Sequence, residues 1–291
     1  MKFGISTFVT DEGIGAAALA RAVEERGLDS LWVAEHTHIP LHLETPWPGG
    51  VPRRYMRTLD PFLTLAAAAT VTERLLLCTG ICLLIQRDPI TTAKEVASLD
   101  QLSGGRAVFG VGAGWRLEEM RNHGTDPATR MALLGERVAA IKSIWADDEA
   151  EFHGRHVDFG PIRQWPKPVQ RPHPPVVFGG EGPAAIRLLL EQGDEWLPRA
   201  MVGPDRLGEQ IADVRRRARE RGRDAPPVTV YGAPADQETV ETYAALGVQR
   251  LLFFLPTLPA DQTLHALDAM AGLAAAAPEP APPAPAGEAA P

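Results

Sequence analysis

Cysteine is scarce in this chain, with only Cys78 and Cys82 among 291 residues. The two lie four positions apart in one predicted strand, where they point the same way and are unsuited to a bridge with each other. This spacing excludes a disulfide-stapled domain. Both cysteines are therefore expected to be reduced and to lie in the core.

Positive charge is also limited, because the chain has 29 Lys and Arg but 37 Asp and Glu, for a net charge of −8. A general nucleic-acid surface or an anionic-membrane surface needs a basic footprint, so both are excluded. No apolar run reaches the length of a membrane span, and the first residues show no signal-peptide pattern. We expect a cytoplasmic protein whose partner is a small molecule.

Apolar runs and helical patterns are plentiful, and they alternate regularly along the chain. Eight strands are predicted, at 3–8, 30–34, 75–85, 107–111, 175–178, 195–197, 228–231 and 250–254. Eight alternating strand and helix units predict an α/β fold, a (β/α)8 TIM barrel over residues 1–276. The rival, a doubly wound sheet, typically has a Gly-rich phosphate turn after its first strand, where this chain has Thr10, Asp11 and Glu12.

Two insertions and a tail interrupt this pattern. Residues 38–58, after strand 2, are predicted to form a lid, because the loops that leave barrel strands build the active site. This insertion carries Arg53, Arg54 and Arg57, which either face solvent or meet an anionic ligand. Residues 151–159, before strand 5, predict a small hairpin. The Ala- and Pro-rich residues 277–291 cannot bury apolar area and are expected to be disordered.

Glycine-rich turns follow two of the predicted strands. The sequence G-V-G-A-G ends the fourth strand, and residues 179–185 (GGEGPAA) follow the fifth strand and open a helix. The free N–H groups and the dipole at such a helix start would face a phosphate. Both turns place the ligand site at the carboxyl ends of the strands.

Seven segments of the chain resemble the bacterial luciferase-like superfamily. In order, they are SLWVAEH, LLLCTGICLL, KEVASLDQLSGGRAVFGVGAGW, ERVAAIKSIW, FHGRHVDF, PKPVQRPHPPVVFGG and LEQGDEWLP. The resemblance covers roughly residues 1–255 and is strongest to the branch of oxidoreductases that use the deazaflavin coenzyme F420. It implies a (β/α)8 barrel that binds F420 or FMN at the carboxyl ends of its strands, and it implies a homodimer.

The resemblance also implies site residues. Glu35 and His36 match an acid-histidine pair whose histidine lies near the deazaflavin and transfers a proton, a role that suits a group titrating near neutrality. Gly80 and Ile81 match a bulge where a non-prolyl cis peptide backs the ring of the cofactor. The other implied cofactor contacts are Ala113, Gly114 and Glu118 at its polar chain, and Gly179, Gly180, Glu181, Gly182, Ala184 and Ala185 at its phosphate.

The implied reaction is hydride transfer between C5 of F420 and a carbon of a small organic substrate. Two alternatives stay open: an FMN-dependent monooxygenase, and a barrel that binds F420 or flavin without turning it over. The sugar-phosphate dehydrogenases of the F420 branch carry a catalytic Glu directly after the turn at Gly114, where this chain has Trp115. The substrate of that subgroup is therefore not assigned to this chain. Trp115 either lines the pocket or packs in the core.

A metal centre is a further alternative, since His36 and His38 have the spacing of a metal pair in amidohydrolase barrels. Such a site needs more ligands. The positions that would supply them, after strands five, six and eight, hold Phe178-Gly179, Leu197-Pro198 and Phe254-Leu255-Pro256. None of these can bind a metal ion through its side chain, so no metal site is predicted.

Overall fold

A computed structural model describes residues 1–44 and 46–277 of the chain. Within this part, the strands are β1 Lys2–Thr7, β2 Ser30–Val33, β3 Leu76–Thr79, β4 Ala107–Val111, β5 Ala150–His153, β6 Asp158–Ile162, β7 Val176–Gly179, β8 Glu195–Leu197, β9 Thr229–Ala233 and β10 Arg250–Leu255. The helices are α1 Ala16–Glu25, α2 Arg53–Arg57, α3 Pro61–Ala69, α4 Pro89–Ser103, α5 Leu117–Asn122, α6 Arg130–Ala146, α7 Pro183–Gln192, α8 Pro204–Glu220, α9 Gln237–Ala245 and α10 Ala260–Ala276.

Eight of these strands form one parallel sheet in the order β8-β7-β4-β3-β2-β1-β10-β9. Bridges from Trp196 to Val228 and from Arg199 to Tyr231 join β8 to β9 and close the sheet on itself. The predicted (β/α)8 barrel is confirmed, and the doubly wound sheet is wrong, because such a sheet stays open at its two edge strands. β5 and β6 pair antiparallel and form the predicted hairpin before β7.

The apolar residues divide into an inner and an outer core. The inner core fills the barrel with side chains from six strands, namely Trp32, Cys78, Val108, Val177, Leu197 and Leu252. The outer core is larger and lies between the strands and the helices around them. Because successive side chains of a strand point to opposite faces, strands buried on both faces require the continuous apolar runs that the sequence contains.

The third strand is shorter than predicted. β3 ends at Thr79, and the rest of the predicted strand is a loop followed by a 3-10 turn at Leu84–Gln86. The alternation of side chains therefore stops before Cys82. Cys78 lies in the inner core and Cys82 in the outer core, both as buried free thiols, so the expectation that they point the same way is wrong.

The amino ends of the barrel strands carry a cluster of paired charges. Arg250 lies 3.0 Å from Asp29 and 3.0 Å from Glu195. Burial raises the pKa of Glu195, and the charge of Arg250 opposes that rise. This end of the barrel is thus occupied by ion pairs, which leaves the carboxyl ends of the strands for a ligand.

The described part of the chain ends just after α10. The predicted tail lies, from residue 278 onward, outside the described residues. None of the helices described has the length and apolar character needed to cross a lipid bilayer.

Candidate active site

Two adjoining cavities of about 480 Å³ each open at the carboxyl ends of the barrel strands. The first lies over β1, β2 and β10, and the second lies between β4, β7 and the start of α7. Six residues line both cavities, namely Gly80, Ile81, Gly114, Trp115, Arg199 and Tyr231. This volume is typical of small-molecule sites, and barrel enzymes use this end of the fold.

A buried pair of titratable side chains lies at the first cavity. His36 follows β2, and its Nδ1 atom is 2.8 Å from Oε2 of Glu119 on α5; their side chains are 5% and 1% exposed. The other oxygen of Glu119 accepts a hydrogen bond from the backbone N–H of Thr37, at 3.2 Å. A carboxylate accepts from Nδ1 of His36, and in the tautomer that makes this hydrogen bond Nε2 is the acceptor nitrogen of the ring.

Glu35, which was predicted together with His36, forms hydrogen bonds within the protein through both of its carboxylate oxygens. One of its oxygens accepts from the backbone N–H of Leu83 at 2.6 Å, and the other accepts from Nε of Arg87 at 2.6 Å. Arg87 also pairs with Asp60, the residue that caps α3. Glu35 still lines the first cavity, but its charge is matched by Arg87.

The floor between the two cavities is the peptide from Gly80 to Ile81, which is cis, as the resemblance implies. A Cβ atom at Gly80 would lie 3.0 Å from Cβ of Trp32 and 3.2 Å from Cε2 of Tyr231. The glycine therefore makes room for two side chains of the protein. Gly112 makes room for the side chain of Ile81 in the same way, because a Cβ atom at Gly112 would lie 2.0 Å from Cδ1 of Ile81.

The second cavity ends at the start of α7. Gly179, Gly180, Gly182, Ala184 and Ala185 all line it. Among residues 1–44 and 46–277 no side chain caps α7, and Pro183 occupies its first turn, so the N–H groups of the next residues lack partners within the helix. Arg130, at the start of α6, lines the same cavity. The arrangement combines unpaired N–H groups, a helix dipole and a guanidinium group, which suits a phosphate.

The two predicted carboxylates of this region lie outside both cavities. Glu181 pairs with Arg199 through three hydrogen bonds of 2.7 to 3.1 Å. Burial favours the neutral form of Glu181, but these bonds prevail and the pKa of its carboxyl is lowered. Glu118 accepts from the backbone N–H of Glu44. Ala113 lines the second cavity and Gly114 lines both, and their contact with the polar chain of a cofactor stays a prediction.

Aromatic side chains wall the first cavity on the side of the predicted lid. The rings of Trp47 and Tyr55 lie 4.9 Å apart, and Trp47 and Trp115 are 5.1 Å apart between centroids. The ring centroid of His36 lies 5.2 Å from that of Tyr55 and 6.2 Å from that of Trp115. Trp115 is thus a cavity wall that is 47% exposed, and the alternative of simple core packing is wrong.

Sequence reasoning missed several residues of this site, among them Glu119, Arg130 and Tyr231. Glu119 belongs to a six-residue helix, and Arg130 opens a helix after a loop; neither follows a barrel strand directly. Tyr231 lies within β9, in a strand that the sequence did predict. Its position near the carboxyl end of a barrel strand was the one signal available.

His36 and His38 do not converge on a common point. Nδ1 of His36 contacts Glu119, whereas the ring nitrogens of His38 contact Thr37 at 2.9 Å and Asn122 at 2.9 Å. Among residues 1–44 and 46–277, no group of three or more His, Cys, Asp and Glu side chains is arranged to hold a metal ion.

Comparisons with known proteins place this chain in a family. The family model for luciferase-like monooxygenases matches residues 1–268. An uncharacterized protein of Mycobacterium tuberculosis is 38% identical over 280 residues, which are 93% of this chain and 98% of that protein. An FMNH(2)-dependent dimethylsulfone monooxygenase of Pseudomonas putida is 33% identical over 137 residues, 46% of this chain and 38% of that protein.

Among solved structures, this chain is similar to an F420-dependent secondary alcohol dehydrogenase in complex with an F420-acetone adduct. The two are 25% identical and superpose with a TM-score of 0.66, over 93% of this chain and 84% of the dehydrogenase.

Proposed function

The chain belongs to the luciferase-like monooxygenase family, and from that premise we propose that it is an F420-dependent oxidoreductase. It transfers a hydride between the deazaflavin and a carbon of a small organic substrate. One observation carries the proposal: His36, which is paired with the buried Glu119, lines the cavity that Gly80 and Ile81 also line. This supports the proposal, because His36, with one nitrogen held by Glu119, lines the same cavity as the peptide against which the cofactor ring would lie.

The residues of the second cavity fit the polar end of such a cofactor. A Cβ atom at Gly182 would meet no atom of the described residues within 4 Å, so the approach to α7 is open there. Arg130 and the first N–H groups of α7 would hold the phosphate. Gly80 and Ile81 would lie against the ring, and the first cavity would then take the substrate.

The protein accepts or returns the proton that accompanies hydride transfer. When bound, the deazaflavin provides the hydride chemistry itself. Oxidation of an alcohol removes a hydride from carbon and a proton from the hydroxyl, and Nε2 of His36 accepts this proton. Glu119 keeps the ring oriented through Nδ1 and stabilises its positive charge. In the reverse direction, the same nitrogen returns the proton to the carbonyl oxygen.

F420 is favoured over FMN by the similarity to the F420-dependent secondary alcohol dehydrogenase, which extends over nearly the whole chain. The second candidate is a monooxygenase that uses reduced FMN and oxygen. It is supported by the 33% identity to the FMNH(2)-dependent monooxygenase, which spans a shorter part of this chain. The homodimer implied by the resemblance stays a prediction, and sedimentation velocity of the purified protein tests it.

The proposed reaction is tested by following F420 reduction with a panel of small secondary alcohols, in the wild type and in His36→Ala. We expect substrate-dependent reduction, and we expect His36→Ala to bind F420 but to turn over about 10²-fold slower or worse. Unchanged turnover in the variant would remove His36 from the reaction. Oxygen consumption with reduced FMN would favour the monooxygenase, and F420 binding without turnover would favour the non-catalytic barrel.

A further inference from the structure

A third cavity, of about 410 Å³, lies beside the second one and has no part in the proposed reaction. It is bordered by the start of α7, the 3-10 turn Ala200–Val202 and one face of α8. Gly182, Pro183 and Arg199 line both the second and the third cavity. The two cavities therefore adjoin at the start of α7, which is the place assigned above to the phosphate of the cofactor.

One face of α8 gives the third cavity a row of polar side chains, namely Arg206, Gln210, Asp213 and Arg217. Their spacing of four, three and four residues places them on the same face of a helix. Nε2 of Gln210 donates to the backbone carbonyl of Glu181 at 3.2 Å, which holds the middle of the row against the start of α7. At 1.5 Å per residue, the two arginines are attached about 16 Å apart along the helix axis. An extended ligand with several negative charges matches this spacing better than a single small anion does.

Three arginines and two carboxylates line the third cavity. Arg199 pairs with Glu181 at 2.8 Å, and Arg217 lies 3.4 Å from Asp213. Arg206 is exposed and makes no ion pair or hydrogen bond with any residue in the ranges 1–44 and 46–277. Both carboxylates are therefore matched by arginines, and Arg206 leaves the cavity with an excess positive charge that would attract an anion.

We propose that the third cavity binds the chain of glutamates that forms the tail of F420. The inference rests on the proposed function, in which F420 occupies the second cavity. The tail follows the phosphate in the cofactor, and the third cavity follows the second at the start of α7, so the groups and the cavities come in the same order. The carboxylates of the tail bind Arg206 and Arg217, since guanidinium groups match carboxylates in shape and charge. FMN ends at its phosphate and has no group for this cavity.

The test is a fluorescence titration of the full chain with two forms of the cofactor. One form is F420 with a tail of two or more glutamates, and the other is the tailless form, which ends at the lactyl group after the phosphate. The variants are Arg206→Met, Arg206→Lys and Arg217→Met. Arg219→Met is the matched control, because Arg219 also lies on α8, is exposed and lines none of the three cavities.

We expect the wild type to bind the tailed form at least about fivefold tighter than the tailless form, and we expect this ratio to shrink as salt is added. Arg206→Met should reduce the ratio to about twofold or less, Arg217→Met should also reduce it, and Arg206→Lys should keep most of it because the charge remains. Arg219→Met should keep the ratio of the wild type. All four variants should bind the tailless form as the wild type does, which separates loss of a tail contact from a general loss of structure.

The proposal is overturned if the wild type binds both forms equally, if Arg206→Met leaves the ratio unchanged, or if Arg219→Met lowers it as much. This failure differs from failure of the proposed function. Equal binding of both forms would remove the tail site and leave F420 as the cofactor, whereas binding of neither form would remove the proposed function and the tail site with it.

Discussion

Replacing Glu119 with glutamine tests the role assigned to His36, because the change removes a charge but keeps the volume of the side chain. The carboxylate accepts from Nδ1 of His36 at 2.8 Å through one oxygen and from the N–H of Thr37 at 3.2 Å through the other. Glutamine offers one oxygen and one NH2 group instead. If the NH2 group faces Thr37, it meets the backbone N–H there, which is also a donor. If it faces His36, Nδ1 must accept, and the proton of the ring moves to Nε2, the nitrogen that should accept the substrate proton.

The size of the effect follows from the hydrogen bond that is lost. Hydrogen bonds to charged groups contribute about 1.5–3 kcal/mol, and each 1.36 kcal/mol corresponds to a tenfold change in rate. We therefore expect kcat to fall about 10- to 100-fold in Glu119→Gln. The affinity for F420 should change little, because Glu119 lines neither cavity.

Steady-state kinetics, F420 titration and 15N NMR of the His36 ring together provide the assay, and the NMR spectrum needs no substrate. Glu118→Gln is the matched control, since this neighbouring carboxylate contacts only the backbone N–H of Glu44 among the hydrogen bonds of the described residues. A Glu119→Gln protein with the kcat of the control and an unchanged tautomer of His36 would refute the role assigned to this pair.

Three further changes have expected outcomes. Arg130→Met should weaken F420 binding about 10- to 100-fold in a titration, because a charged contact to the phosphate is lost. Gly110→Ala should lower the free energy of unfolding by about 1–3 kcal/mol or more in urea titrations, since its Cβ would lie 2.1 Å from the carbonyl oxygen of Thr79, whereas Gly160→Ala has open space. Burial opposes ionisation of Glu136, but three backbone N–H bonds prevail and lower its pKa below 4.5. The ionised carboxylate of Glu136 therefore stabilises the folded state above pH 4.5, and this contribution is lost as the pH falls through the lowered pKa. In Glu136→Gln the free energy of unfolding should accordingly depend less on pH in this acidic range.

The barrel could be predicted from the sequence because each buried strand needs its own apolar run and each run is followed by a helical pattern. The boundary of β3 could not, since the apolar residues after Thr79 continue without interruption while the backbone leaves the sheet. An apolar run predicts that a segment is buried, but a buried loop has the same apolar character as a buried strand.

The site could be predicted where its residues directly follow strands. His36, Gly80, Gly114 and the turn at the start of α7 all line the cavities. Glu118 and Glu119 show the limit of this reasoning, because they are adjacent in the sequence and identical in type. Only the orientation of α5 places Glu119 against His36, 83 positions away, and leaves Glu118 outside both cavities.

The most direct test of the central claim is titration of the purified protein with F420 and, separately, with FMN, followed by fluorescence. The account predicts saturable binding of F420 that is at least about tenfold tighter than binding of FMN. Tighter binding of FMN, or binding of neither cofactor, would contradict it.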